Sequence, residues 1–162
     1  MDLITFALLP RPADQPDRLF GLELSEELEV VPLGPITRVP RAPAAIVGVM
    51  NLKGQVVSLV DLARAVGLGP CAPPRPGDPS LLVRVVGCRM VLCVDRILDV
   101  ERGAPSHTLP EAGLTVIAKV VETGAGQVHL VDLERLMDQL SAQIALDNAR
   151  FEGGSLVEED GQ

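Results

Sequence analysis

One pattern is written twice in this chain, and it limits what the chain can fold into. Gly54-Gln55-Val56-Val57-Ser58-Leu59-Val60-Asp61-Leu62 returns as Gly126-Gln127-Val128-His129-Leu130-Val131-Asp132-Leu133 with one residue deleted, and Arg64 corresponds to Arg135. Each copy reads as a glycine turn, an apolar strand and an aspartate that ends it. The β-branched run Val56–Val60 predicts a strand buried on much of both faces. Asp61 and Asp132 can each accept backbone N–H bonds at the positive end of a following helix. In the first copy that helix is short, Leu62–Val66, with Gly67 as its stop. Two copies about 70 residues apart are too few and too far apart for a solenoid. They predict two related halves packed together.

Upstream of the first copy, Asn51-Leu52-Lys53-Gly54 breaks two apolar runs, and Asn and Gly tolerate positive φ, so this is a tight turn. Leu3–Leu9 and Leu19–Leu24 read as an early hairpin around a polar, proline-containing loop, Arg11–Asp17. Ser25–Leu28 reads as one helical turn, and Glu29–Val31 as a further strand. Pro32–Ala44 carries four prolines and Gly34, so it cannot be a central strand or an unbroken helix. Gly69–Pro79, with five prolines and two glycines, is the clearest linker. Leu81–Val86 and Met90–Val94 form a tight hairpin, Gly103–Gly113 is loop, and Leu114–Val121 pairs with Val128–Val131. From Asp132 the apolar period becomes helical through Leu133, Leu136, Met137, Leu140 and Ile144. Beyond Arg150 a glycine pair and Glu158-Glu159-Asp160 predict a disordered acidic tail over 151–162, leaving 1–150 as a single domain. About ten short strands with few helices make an all-β protein with minor α, a sandwich or a barrel.

Composition excludes several functions. The 162 residues carry a formal charge of −8, three Phe and no Trp or Tyr, so nothing attracts a phosphate backbone or stacks bases, and no nucleic-acid partner is expected. No segment approaches about 18 uninterrupted apolar residues, so no membrane insertion is expected. The N-terminus lacks the basic start and apolar run of a signal peptide. Cys71, Cys88 and Cys93 form no C-x-x-C pair and show no metal-ligand spacing with His. A cytoplasmic protein with reduced thiols is the expectation. No phosphate-binding glycine motif is present, so no cofactor is expected. His129 alternates with buried strand positions and reads as structural, and His107 beside Ser106 is not a triad. Asp61 and Asp132 are explained as caps. No catalytic set emerges, and the chain is not expected to be an enzyme.

Gly48-Val49-x-Asn51-Leu52-Lys53-Gly54, followed by Val56-Val57-x-Leu59-Val60-Asp61-Leu62, resembles the signature of the CheW family, the chemotaxis coupling adaptors. Val91-x-Cys93-Val94-Asp95-x-Ile97-x-Asp99-Val100 resembles their mid-chain hairpin, and Val131-Asp132-Leu133-Glu134-Arg135-Leu136 their last strand and helix. The resemblance runs from about Asp2 to Leu140. It implies two five-stranded β-barrel subdomains packed side by side with a C-terminal helix. It also implies a scaffold that holds the regulatory domain of a CheA-type histidine kinase against the cytoplasmic tip of chemoreceptors, in arrays at the inner membrane. The implied partner-binding residues are the turn Asn51, Leu52, Lys53 and Gly54, the apolar Val30, Val47, Val49 and small Gly48, and Glu29, which would pair with Lys53; Glu27 is the alternative acid. Where the family usually has Arg, Lys53 keeps the charge but not the planar fork. Rival readings are a stand-alone small β-barrel interaction module in a non-chemotactic pathway, a binder or enzyme using a cleft between lobes, and an adaptor diverted to another output.

Overall fold

The structure, a computed structural model, describes residues 1–9, 14, 18–69, 73–85 and 87–160, with side chains to residue 146. Among the described residues eleven strands and two helices follow in order: β1 Asp2–Ala7, β2 Leu19–Glu23, β3 Leu28–Pro32, β4 Ile46–Leu52, β5 Gln55–Asp61, α1 Leu62–Ala65, β6 Pro79–Val85, β7 Cys88–Cys93, β8 Arg96–Arg102, β9 Ala104–Pro105, β10 Ile117–Thr123, β11 Gly126–Val131 and α2 Leu133–Asp160. They form two sheets, ordered β8-β1-β2-β11-β10-β9 and β3-β6-β7-β5-β4.

The sequence repeat is a repeat of topology. In the second sheet Thr37 bridges Val49 at the outer side of β4, the place β9 takes beside β10 in the first. The two orders then correspond strand for strand, with parallel pairs at the same step, β2 with β11 and β7 with β5. The halves are interleaved: the hairpin β1-β2 of the first half belongs to the second half's sheet, and β6-β7 belongs to the first half's. Closure has the same origin in both. Only Gly103 separates β8, which pairs with β1, from β9, which pairs with β10, so one stretch joins the two ends of that sheet. In the other, the chain leaving β3 reaches Thr37 and pairs with β4. Counting each such stretch once gives five staves per barrel, and neither sheet keeps a long open edge.

Alternating residues fill two kinds of core. Val31, Met50, Leu59, Leu82, Val91 and Cys93, drawn from all five strands, fill the β4–β5 barrel, and Leu3, Val121 and Val128 fill the β10–β11 barrel. The opposite faces meet in a shared core containing Phe6, Phe20, Leu81, Leu92, Leu62 and Leu136. Both aspartates cap as expected. Asp61 Oδ1 accepts from Arg64 N at 3.1 Å and Asp132 Oδ1 from Arg135 N at 3.0 Å. Their own N–H groups donate to the equivalent carbonyls of Ala45 and Val116, at 2.7 and 2.8 Å. Asp61→Ala or Asp132→Ala should therefore cost about 0.5–2 kcal/mol each. The larger loss is expected at Asp61, which is 6% exposed; urea titration of the two variants checks both size and order.

Some elements fall elsewhere than the sequence placed them. β10 begins at Ile117 because Thr115 N donates to Val66 O at 2.9 Å and Val116 turns the chain at φ +56. The expected linker is strapped down over residues 75–79: Gly77 N donates to Leu33 O at 2.7 Å, and Leu33 N to Asp78 O at 2.9 Å. Ser25–Leu28 is a hydrogen-bonded turn rather than a helical one, with Leu28 N on Ser25 O at 3.2 Å. The loop expected at Gly103–Gly113 contains β9. The sequence ends α2 near Arg150, whereas its backbone is helical to Asp160. The two glycines there cost a helix only about 1 kcal/mol each. Cys71 and most of Arg11–Asp17 lie outside the described residues.

Candidate protein-interaction site

The turn between β4 and β5 has a two-residue loop, Lys53-Gly54, closed by the pair Leu52 and Gln55. Both loop residues have positive φ, +51 and +84, as a type I′ hairpin requires. Glycine adopts this freely, whereas a lysine there is uncommon. Asn51 Oδ1 accepts from Gly54 N at 2.9 Å and locks the loop. Lys53 is thus held out on a rigid tip, exposed to water.

The apolar residues around the tip divide. Leu52 and Val47 fold back, half-buried, against the interior of their barrel. Val49 is half-buried beside Thr37. Gly48 was expected to let a partner approach, but it is buried. A Cβ there would stand 2.4 Å from the Thr37 carbonyl oxygen. Its smallness serves the chain's own closure, which corrects that expectation. Val30 is 50% exposed, and Val56, read from sequence as buried, is 71% exposed and pairs across the hairpin with Asn51.

Glu29 lies at the same end of the barrel as the turn. β3 starts there beside β6, the β6-β7 hairpin turns there, and β5 begins there beside β7. An open depression of about 150 Å³ is lined by Glu26, Glu27, Glu29, Arg84 and Arg89 among others, and Arg89 donates to Gln55 Oε1. Among the described residues no ion pair joins Glu29 to Lys53; Glu29 instead shares this depression with Arg84 and Arg89. The arginines were missed because they share it with the acids only after β3 and β6 pair.

A second surface is the cleft between the barrels, about 630 Å³, walled by Leu22, Leu24, Val85, Leu130 and Leu133 with Lys119 and Glu134 at its polar margin. The chemistry elsewhere is quiet. Among the described residues no group of three or more His, Cys, Asp or Glu could hold a metal. Burial, with Asp61 and Asp78 nearby, pushes the Cys93 thiol up to about 12, so it stays protonated and acts as a small hydrophobe. No helix among the described residues is long and apolar enough to cross a membrane. What these surfaces offer is contact: rigid tips, exposed valines and a charged rim.

Residues 14–141 match the family described as the CheW-like domain. A chemotaxis protein CheW of Treponema pallidum (strain Nichols) is 23% identical over 137 residues, 78% of this chain and 80% of the relative. A probable chemotaxis protein CheW of Rhizobium etli is 32% identical over 89 residues, 52% of this chain and 54% of the relative. Among solved structures, the scaffolding protein TtCheW of Thermoanaerobacter tengcongensis superimposes with a TM-score of 0.63 at 23% identity, covering 83% of this chain and 86% of that one.

Proposed function

This chain belongs to the CheW-like domain family, and from that premise we propose that it is a non-catalytic coupling adaptor, joining chemoreceptor tips to the regulatory domain of a CheA-type histidine kinase in chemotaxis or related chemosensory signalling. The observation that carries this reading is the hairpin end of the β4–β5 barrel. There a locked type I′ turn holds out Lys53, two valines are half or more exposed, and acids share a depression with arginines on the rim. A surface of that kind binds protein, and its charges set orientation and encounter rate more than raw affinity. Receptor state would reach the kinase through contacts that differ between the two receptor states. Modest single contacts would suffice in a multivalent array at the inner membrane. Residues 1–150 would act as one domain, and Glu29, Val30, Asn51, Lys53, Gly54 and Val56 would form the contact.

Reversing Lys53 to Glu should leave thermal stability within about 0.5 kcal/mol, as for other surface changes. Coupled kinase activity in a reconstituted receptor–kinase mixture should fall about tenfold, the effect expected of losing a charge contact and gaining a repulsive one. A folded Lys53→Glu protein with undiminished coupling would remove Lys53 from the interface.

A further inference from the structure

The segment 106–113 crosses strands β10 and β11 and is tied at several points. Ser106 Oγ donates to Glu122 Oε1 at 3.4 Å, and Gln127 Nε2 donates to Thr108 Oγ1 at 2.7 Å and to Glu122 Oε1 at 2.8 Å. At the far end the backbone N–H of Glu111 donates to Nε2 of His129 at 3.3 Å. The Glu111 carboxylate is engaged separately by Arg18 at 2.9 Å. Between these ties Leu109 is 83% exposed, the most exposed of the large apolar residues described.

We infer that His129 is a latch: its neutral imidazole holds the Glu111 end of the 106–113 loop through the Glu111 N–H, and acidification releases that end while the other ties and the barrel stay intact. This goes beyond the adaptor reading and does not depend on it. Neutral imidazole has one acceptor nitrogen. Here Nε2 must be that acceptor, because it faces an N–H. The proton then sits on Nδ1, which is buried with no hydrogen-bond partner among the described residues, although the Leu19 carbonyl lies near enough to favour a proton there. Adding a second proton would set N–H against N–H at Glu111, and that bond must break. The charged groups around the ring divide. Burial holds the imidazole pKa below the ordinary 6.5; the Glu111 carboxylate and Leu19 carbonyl oppose this, and Arg18 assists. The β10 residue opposite is Val120, with Lys119 before it and Glu122 two residues beyond, and the β2 residue opposite is Phe20, whose ring lies 5.6 Å away. His107 sits in the loop itself.

A depressed folded pKa means the stabilisation is full above 6.5 and is lost as pH falls through the folded value. The test is amide NMR of the full chain from about pH 8 to about pH 5, spanning the histidine range, for wild type, His129→Gln and His107→Gln. The Glu111 amide should shift with a midpoint below 6.5, and its exchange protection should fall about three- to tenfold, the loss of one hydrogen bond. The step should survive His107→Gln and vanish in His129→Gln. An unmoving Glu111 amide, a step that persists in His129→Gln, or one lost in His107→Gln overturns the inference. Should His129→Gln fail to fold, ring-nitrogen shifts of the wild type decide. Nε2 bare at the alkaline end and protonated in step with Glu111 supports the latch; Nε2 already protonated there overturns it.

Discussion

Replacing Gly48 by alanine should cost about 2–3 kcal/mol, the upper part of the range for adding a methyl to a filled site. Few exposed-strand substitutions cost as much. The added Cβ would lie 2.4 Å from Thr37 O and 3.1 Å from both Thr37 C and Ile36 Cγ2. The nearest obstacle is backbone, not a side chain that can swing away. That carbonyl is also held in place, since Thr37 and Val49 exchange two hydrogen bonds of 2.8 Å each. These bonds close the β4–β5 barrel, so the strain falls on closure. Chemical denaturation of Gly48→Ala measures the cost. A loss below about 0.5 kcal/mol, within the noise of ordinary surface changes, would mean that Gly48 serves a partner and not the fold.

The second large effect is expected at Phe20. Its side chain is fully buried, 6.4 Å from Phe6 and 5.6 Å from His129 between ring centroids. It sits on β2, the strand that joins the first half's hairpin to β11 of the second half. Phe20→Ala should cost about 3–5 kcal/mol and lower Tm by about 10 °C, at about 2–4 °C per kcal/mol for a domain of this size. Because β2 carries the interleaving, the β10–β11 barrel should lose exchange protection first. A melting temperature within a few degrees of wild type would contradict the shared core described above.

Local features were legible in the sequence. The two aspartate caps lie where residue type alone puts them, the expected turn Asn51–Gly54 contains the observed loop Lys53-Gly54, and β7 overlaps the strand expected at Met90–Val94 but starts at Cys88, because each is decided within a few positions. The repeated unit led to two related halves, and the halves exist. That they exchange hairpins was not legible, since pairing β1-β2 with β11 across more than a hundred positions leaves no local trace. The site was legible in part. Val56 was hidden by its β-branched neighbours, which suit a strand buried on both faces as well as one buried on one. Gly48 was assigned to a partner by resemblance alone, and only the approach of Thr37 shows what it makes room for. Arg84 and Arg89 acquire meaning only when β3 lies beside β6.

The central claim is that this chain couples a kinase by binding it. Calorimetric titration of the purified full chain with the regulatory domain of a CheA-type kinase from the same organism tests this directly, with Lys53→Glu run alongside. The expected result is saturable binding by the wild type. A weaker Lys53→Glu titration places the hairpin tip on the kinase face, and an equal one leaves it to the receptor. Absence of binding to every such kinase in that genome would contradict the adaptor account and favour a stand-alone barrel module.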